Sequence, residues 1–401
     1  MIPVAEARRK ILDGLPRVPS EVVSLERAAG RVLAADVIAR RTQPPADLSA
    51  MDGYAVRSVD CTSPGAVLQQ VGESAAGHGF AGTVGPMQTA RIFTGAPLPA
   101  GADAVLIQED ASVDGTRVTA TIAVAAGAHI RRAGIDFTEG DAVLRAGRVL
   151  APRDIGLAAA CNVPWLTVSR RPRIALLSTG DELVRPGEPI GPDQIVSSNA
   201  LSIAALVRQA GGEPVDLGIA LDRPDSLRDA AAQAAGCDLL VTLGGASVGE
   251  HDLVRGTLAE QGLALDFWKI AMRPGKPLMF GRTGDQPLLG LPGNPVSALV
   301  CGLLFLAPAI RHMAGAGATA PRLAEARLGA DMRANDTRED YVRAGLDFDA
   351  DGGAIVTPFA RQDSSMLSAL SRAGALIVRA PHAPAIPAGT VVRYIPLDLG
   401  L

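Results

Sequence analysis

From Arg171 to Ile310, apolar runs of strand length alternate with helical stretches, and this rhythm limits the possible folds more than any other feature of the chain. Ile174 to Leu177, Glu213 to Ile219, Leu239 to Leu243 and Leu288 to Leu291 read as strands; Ser198 to Gln209, Asp225 to Ala235 and the run beginning at Val296 read as helices. Strands separated by helices pair in parallel, because a parallel connection needs a crossover, and a parallel sheet is covered on both faces. A central three-layer α/β domain is therefore predicted over residues 171–315. In an open sheet of this kind ligands sit beyond the carboxyl ends of the strands, where loops expose N–H groups and carboxylates without crowding the core.

Four polar motifs stand at the ends of these apolar runs. In Ser178-Thr179-Gly180-Asp181-Glu182-Leu183, two carboxylates follow two hydroxyls and a glycine, a set suited to magnesium bridging phosphate oxygens. The same residues also read as a helix start, with Ser or Thr capping and acids in the first turn. Gly244, Gly245, Ser247 and Gly249 follow a strand and can turn successive N–H groups toward an anion, with Glu250 and Asp252 adding hard oxygen ligands. The glycine spacing is neither a Walker A loop nor a dinucleotide fingerprint, and a plain glycine-rich turn is the alternative. In Leu291-Pro292-Gly293-Asn294-Pro295-Val296-Ser297, Asn294 is expected to cap a helix whose first residue is Pro295, and that end favours an anion. The competing reading is simply a well-made start for a buried helix. Arg273-Pro274-Gly275-Lys276-Pro277 puts two cations on a stiffened loop, able to hold an oxyanion or to form a solvated basic turn.

A chain of 401 residues exceeds the size at which one core keeps growing, so two to four domains are expected. Ala5 to Leu15, Glu21 to Ala35 and Leu150 to Cys161 carry helical patterns, giving a helical scaffold domain of residues 1–41 and 138–170, with residues 1–18 alternatively packing on the α/β domain. An inserted β domain occupies 42–137, with runs such as Val67 to Val71, Ala90 to Phe93, Ala104 to Gln108 and Arg117 to Ile122. A C-terminal β domain occupies 321–401. The net charge of −4 argues against a sequence-independent nucleic-acid binder, which needs a basic face. Cys61, Cys161, Cys237 and Cys301 form no C-x-x-C pair, which fits a reducing cytoplasm, and the first residues lack a signal-peptide core. The apolar run Val296 to Ile310, broken by Pro308, reads as a core helix rather than a membrane span, so no membrane is expected.

With Ser49-Ala50-Met51-Asp52-Gly53-Tyr54-Ala55, Phe93-Thr94-Gly95-Ala96-Pro97-Leu98-Pro99 and the Arg-x-x-Gly-x-Asp pattern at 131–136 added to the motifs above, the chain resembles the MoeA family of molybdopterin molybdenumtransferases along essentially its whole length. The resemblance implies an α/β domain with the fold of the molybdopterin adenylyltransferases and insertion of molybdate into adenylylated molybdopterin, with magnesium and release of AMP. It also implies a homodimer with a composite cleft, and as partners a molybdopterin adenylyltransferase and molybdoenzymes. On that basis Asp52, Thr94, Asp136, Asp181 and Asp222 are the catalytic candidates, Asp181 for water activation or anhydride cleavage. Glu182 and Asp252 are assigned to magnesium, and Arg273 and Lys276 to molybdate or phosphate. Ser178, Thr179, Gly180, Gly244, Gly245, Ser247, Gly249, Pro292, Gly293, Asn294, Pro295 and Ser297 hold the substrate's nucleotide and pterin phosphates. Two departures from the family pattern stand out: Ser197 where an aspartate is frequent before Ser-Asn, and Gln362-Asp363-Ser364 where Gln-Gly-Ser is usual. The first allows no acidic role there, and the second makes a C-terminal contribution to substrate contact an open matter. A non-catalytic scaffold on the same fold, as in the E domain of gephyrin, is the rival reading, although such a scaffold should have lost carboxylates that are intact here.

Overall fold

The computed structural model of the chain describes residues 1–245, 256–257 and 263–397. Its central sheet has six strands in the order Glu213–Ala220, Arg173–Thr179, Leu239–Leu243, Gln286–Leu291, Met279–Thr283 and Leu263–Trp268. The first four are parallel to one another; the last two add an antiparallel edge that the sequence reading did not include. Alternation along Arg173–Thr179 assigns its two faces. Ile174 and Leu176 enter a core shared with helix Asn199–Gln209 and the helix that begins at Pro295, while Ala175 and Leu177 enter another with helix Pro224–Ala232. Helix Val4–Asp13 buries Val4, Ala7 and Ile11 in the first of these cores, the i, i+3, i+7 spacing of one helical face. Full burial of Ile11 alone contributes about 2 kcal/mol.

The long core helix runs from Pro295 to Met313 as two α segments joined by a π turn at Gly302–Leu306. The π turn precedes Pro308, whose missing N–H breaks the regular ladder. Gly302 marks a close crossing, since a Cβ there would stand 2.7 Å from Leu206 Cδ2. Although this helix is long and apolar enough to cross a membrane, its most apolar window is 78% buried inside the protein.

The helical reading of Glu21 to Ala35 is corrected. Ser20–Ser24 is a strand paired antiparallel with Trp165–Ser169, followed by one 3-10 turn at Leu25–Arg27. Val22 and Val23 favour a ladder, and the available partner strand outweighs the weak helical propensity of the leucines and alanines that follow. Helix Pro152–Ala160 is the remaining helical element of this region.

The inserted segment forms a six-stranded sheet in the order Ala104–Ile107, Gly53–Val56, Gln88–Ile92, Val67–Ser74, Arg117–Ala120 and Ala111–Asp114. The chain leaves for it and returns side by side, Val37–Ile38 pairing with Ala142–Leu144 and Gln43 bridging Phe137. In the C-terminal region Glu339–Phe348, Ala354–Pro358, Ala324–Leu328, Val391–Pro396 and Ala375–Arg379 pair in that order, and the last pairs back with the first. The result is a closed five-stranded barrel. Met272–Arg273, from the Arg-Pro-Gly-Lys-Pro loop, pairs with Glu339–Asp340 on the barrel wall and so joins it to the α/β domain.

Candidate functional site

Strand order reverses between Arg173–Thr179 and Leu239–Leu243: the chain proceeds outward to Glu213–Ala220 on one side and then to Leu239–Leu243 on the other. A crevice opens at the carboxyl ends of such a pair. Here it is a cavity of about 670 Å3. Three of the four motifs meet in it through Ser178, Thr179 and Gly180, Gly244 and Gly245, and the run from Pro292 to Pro295 with Ser297; the fourth contributes Pro277.

Glycine is needed where the tips touch. Gly244 has φ of +106°, and a Cβ there would lie 3.0 Å from the carbonyl oxygen of Thr179. Gly180 has φ of +145°, and the Glu182 carboxylate folds over it so closely that a Cβ would collide. After Gly180 the chain enters the short strand Leu183–Val184, paired with Ile195–Val196, so the helix-start reading of this motif does not hold.

Three carboxylates gather on this side. Asp181 Oδ1 accepts the Asp222 backbone N–H at 3.0 Å, and Glu182 and Asp222 both line the cavity. Partial burial, reinforced by repulsion from Asp181 and Glu182, raises the Asp222 carboxyl above its ordinary range. Across the cavity Pro295 occupies the first helical turn as expected, but Asn294 does not cap it. Ser364 takes over that role: its carbonyl oxygen accepts the Val296 N–H at 3.2 Å, and its Oγ accepts from Asn294 Nδ2 at 2.9 Å.

Two contributors were missed from sequence. Asn199 donates through Nδ2 to Gly293 O at 2.7 Å, and its buried Oδ1 has no partner among the described residues. Its only sequence signal was a position at a helix start after two serines. Ser365 also lines the cavity, so the departure at Gln362-Asp363-Ser364 does not remove the C-terminal region from this site. Ser197, at the position where an acid was expected, is buried in the cavity wall.

The other candidates lie elsewhere. Arg273 does not line the cavity; it is engaged by Asp340, by Asp336 at 3.2 Å and by Asn335 at 3.3 Å, and the Asp340 bond raises its pKa further. Its strand pairing with the barrel turns the side chain toward these partners. Lys276 is exposed on the same loop. Asp52 Oδ1 accepts both the Thr94 N–H at 2.7 Å and its hydroxyl at 2.8 Å, and these bonds hold the carboxyl below the usual carboxylate range. Asp136 lines a separate cavity of about 460 Å3 with Asp141 and Arg145. Ser247, Gly249, Glu250 and Asp252 lie outside the described residues. Among the described residues no three Asp, Glu, His or Cys side chains form a metal cage.

Comparison with known proteins covers the chain in three parts. Residues 2–162 match the MoeA N-terminal region (domain I and II), residues 175–312 a probable molybdopterin binding domain, and residues 325–397 the MoeA C-terminal region (domain IV). A molybdopterin molybdenumtransferase of Nostoc sp. is 38% identical over 86% of this chain and 82% of its own length. One of Haemophilus influenzae is 35% identical over 99% of each chain. Among solved structures, a molybdopterin biosynthesis MoeA protein from Pyrococcus horikoshii superposes with a TM-score of 0.82 at 26% identity, covering 99% of this chain and 100% of its own.

Proposed function

The chain belongs to the MoeA family and is a transferase of molybdenum cofactor biosynthesis, and from that premise we propose that the switch-point cavity is where molybdate enters adenylylated molybdopterin and AMP is released. One observation carries the proposal: the cavity combines glycine-bearing tips, a helix start and two carboxylates, Glu182 and Asp222, with Asp181 beside them, and its size is that of a nucleotide site. The backbone N–H groups of Gly245, Gly293 and Asn294 hold the phosphates, while Gly244, whose own N–H donates to Leu291 O at 3.2 Å, lets the tips approach. Ser178, Thr179 and Ser297 add hydroxyls, and Asp181 orients or deprotonates the water that cleaves the anhydride. Lys276, exposed on the same loop, meets molybdate. Arg273, held by the barrel, fixes the backbone from which Lys276 projects.

Substrate anions and carboxylates repel each other, so the reaction needs a cation between them. The raised Asp222 carboxyl is the local sign of that need. Magnesium fits the oxygen donors, with Glu182 and Asp252 as the residues to hold it. When bound, it would neutralise charge developing on the phosphate oxygens. The remaining ligands would come from substrate and water.

Asp52, Thr94 and Asp136 line none of this cavity, and we assign them to the cavity of a second copy in a homodimer. Four free cysteines fit a cytoplasmic setting. There a molybdopterin adenylyltransferase would supply the substrate and molybdoenzymes would take the product. The relatives are named as transferases, which favours catalysis over a scaffold role. Purified protein mixed with adenylylated molybdopterin, magnesium and molybdate is expected to release AMP and to reconstitute a molybdenum apoenzyme. AMP at the level of the protein-free control would sink the assignment.

A further inference from the structure

Gln362 sits in the barrel loop that leads from strand Ala354–Pro358 to helix Leu367–Ser371. Its Oε1 accepts from the Arg343 backbone N–H at 3.0 Å and from Arg343 Nε at 3.3 Å, while its Nε2 donates to Arg343 O at 3.0 Å and Phe359 O at 2.8 Å. An amide that gives and receives across one backbone residue reproduces a rung of a β-ladder. No carboxylate can do this, because it only accepts. Arg343 itself is 1% exposed and donates through Nη1 to Met366 O at 3.3 Å. A single residue of the barrel wall therefore grips the loop at both ends.

Between the two grips lie the residues that reach the cavity. Asp363 tightens the tip by accepting from Ser365 N–H at 2.8 Å and from its hydroxyl at 2.6 Å. Ser364 Oγ accepts from Asn294, and Ser364 O accepts the Val296 N–H at 3.2 Å. That N–H belongs to the first helical turn and has no intrahelical acceptor. Ser365 continues the cavity wall. The chain of contacts runs from Arg343 through Gln362 to the helix start that faces the cavity.

We propose that Gln362 is a positioning residue: by locking the loop onto Arg343 it sets Ser364 against Asn294 and Val296 and so fixes one wall of the cavity. Its bearing on substrate affinity rests on the assignment of that cavity as the substrate site; the clamp itself does not. The test uses the full-length protein. Without substrate, Gln362→Ala is expected to speed hydrogen exchange at the Val296 amide about tenfold while strand Ala375–Arg379 stays protected. With substrate, KM for adenylylated molybdopterin rises about fivefold and kcat changes less than about twofold, and in a Ser364→Ala background, which removes the Asn294 bond but keeps the backbone bond to Val296, the KM effect of Gln362→Ala is reduced.

Gln362→Glu keeps the two accepting bonds and loses the two donating ones, so its exchange rate should fall between wild type and Gln362→Ala. Unchanged exchange at Val296, loss of protection throughout the barrel, or additive KM effects would each overturn the clamp. Faster exchange at Val296 in a protein that releases no AMP would uphold the clamp and reject the reaction assigned to the cavity.

Discussion

The switch-point cavity and the Asp52–Thr94 corner both follow strands with a short polar run, yet one leaves its polar groups unsatisfied and the other closes on itself. In the cavity, Asn199 Oδ1 is buried without a partner among the described residues, and Asp222 is crowded by Asp181 and Glu182. At the corner, one carboxylate oxygen of Asp52 takes both donors of Thr94, and the pKa falls rather than rises. Unmet demand is what a ligand relieves. A satisfied carboxylate on an exposed turn is instead already fixed for use by another surface. The contrast agrees with the proposal that the first region binds substrate and the second serves a second copy.

The largest effect is expected from Asp181→Ala. Because the side chain is exposed, the thermal midpoint should stay within about 2 °C, while turnover falls by about a thousandfold or more. Equal losses of folding and activity would make the carboxylate a structural group and erase the contrast. Next comes Gly244→Ala: the Cβ meets Thr179 and the φ of +106° disfavours any side chain, so kcat/KM should drop by about tenfold to a hundredfold. Steady-state kinetics beside a melting curve would separate lost binding from lost fold.

The smallest effect is expected at the corner. Thr94→Val removes the hydroxyl bond but keeps the backbone one, so the Asp52 pKa should rise toward the ordinary carboxylate value. The sign follows from linkage: a depressed folded pKa contributes stability that is present above the unfolded carboxylate pKa and lost as pH falls through the folded one. In the variant that contribution is smaller, and its loss, which starts near the same unfolded pKa, is complete at a higher pH. A carboxylate NMR titration reads the shift directly.

The parallel strands and their tips were legible in sequence because both depend on local pattern: apolar runs bounded by glycine and proline. The π turn and the buried course of the Pro295–Met313 helix follow from the same apolar run and from Pro308. Glu21 to Ala35 was misread because the partner of Ser20–Ser24 lies far away at Trp165–Ser169, and no local propensity reports it. Asn294 was assigned a capping bond on position alone, yet Ser364, arriving from the barrel, accepts the Val296 N–H that such a cap would serve. Arg273 looked like an anion holder because its carboxylate partners, Asp336 and Asp340, are more than 60 residues away. Asn199 and Ser365 enter the site through tertiary contacts between segments that share no motif. The positions of tips at strand ends were readable; contacts assembled between domains were not.

Complementation tests the central claim, that one chain's cavity is completed by another chain's corner. Asp52→Ala and Asp181→Ala proteins, each inactive alone, are mixed under conditions in which dimers dissociate and re-form. About half of the new dimers pair the two variants, and each of these holds one intact site and one doubly damaged site, so activity should recover to about a quarter of wild type. No recovery, with mixed dimers confirmed by mass spectrometry, would contradict the account and place Asp52 outside any shared site.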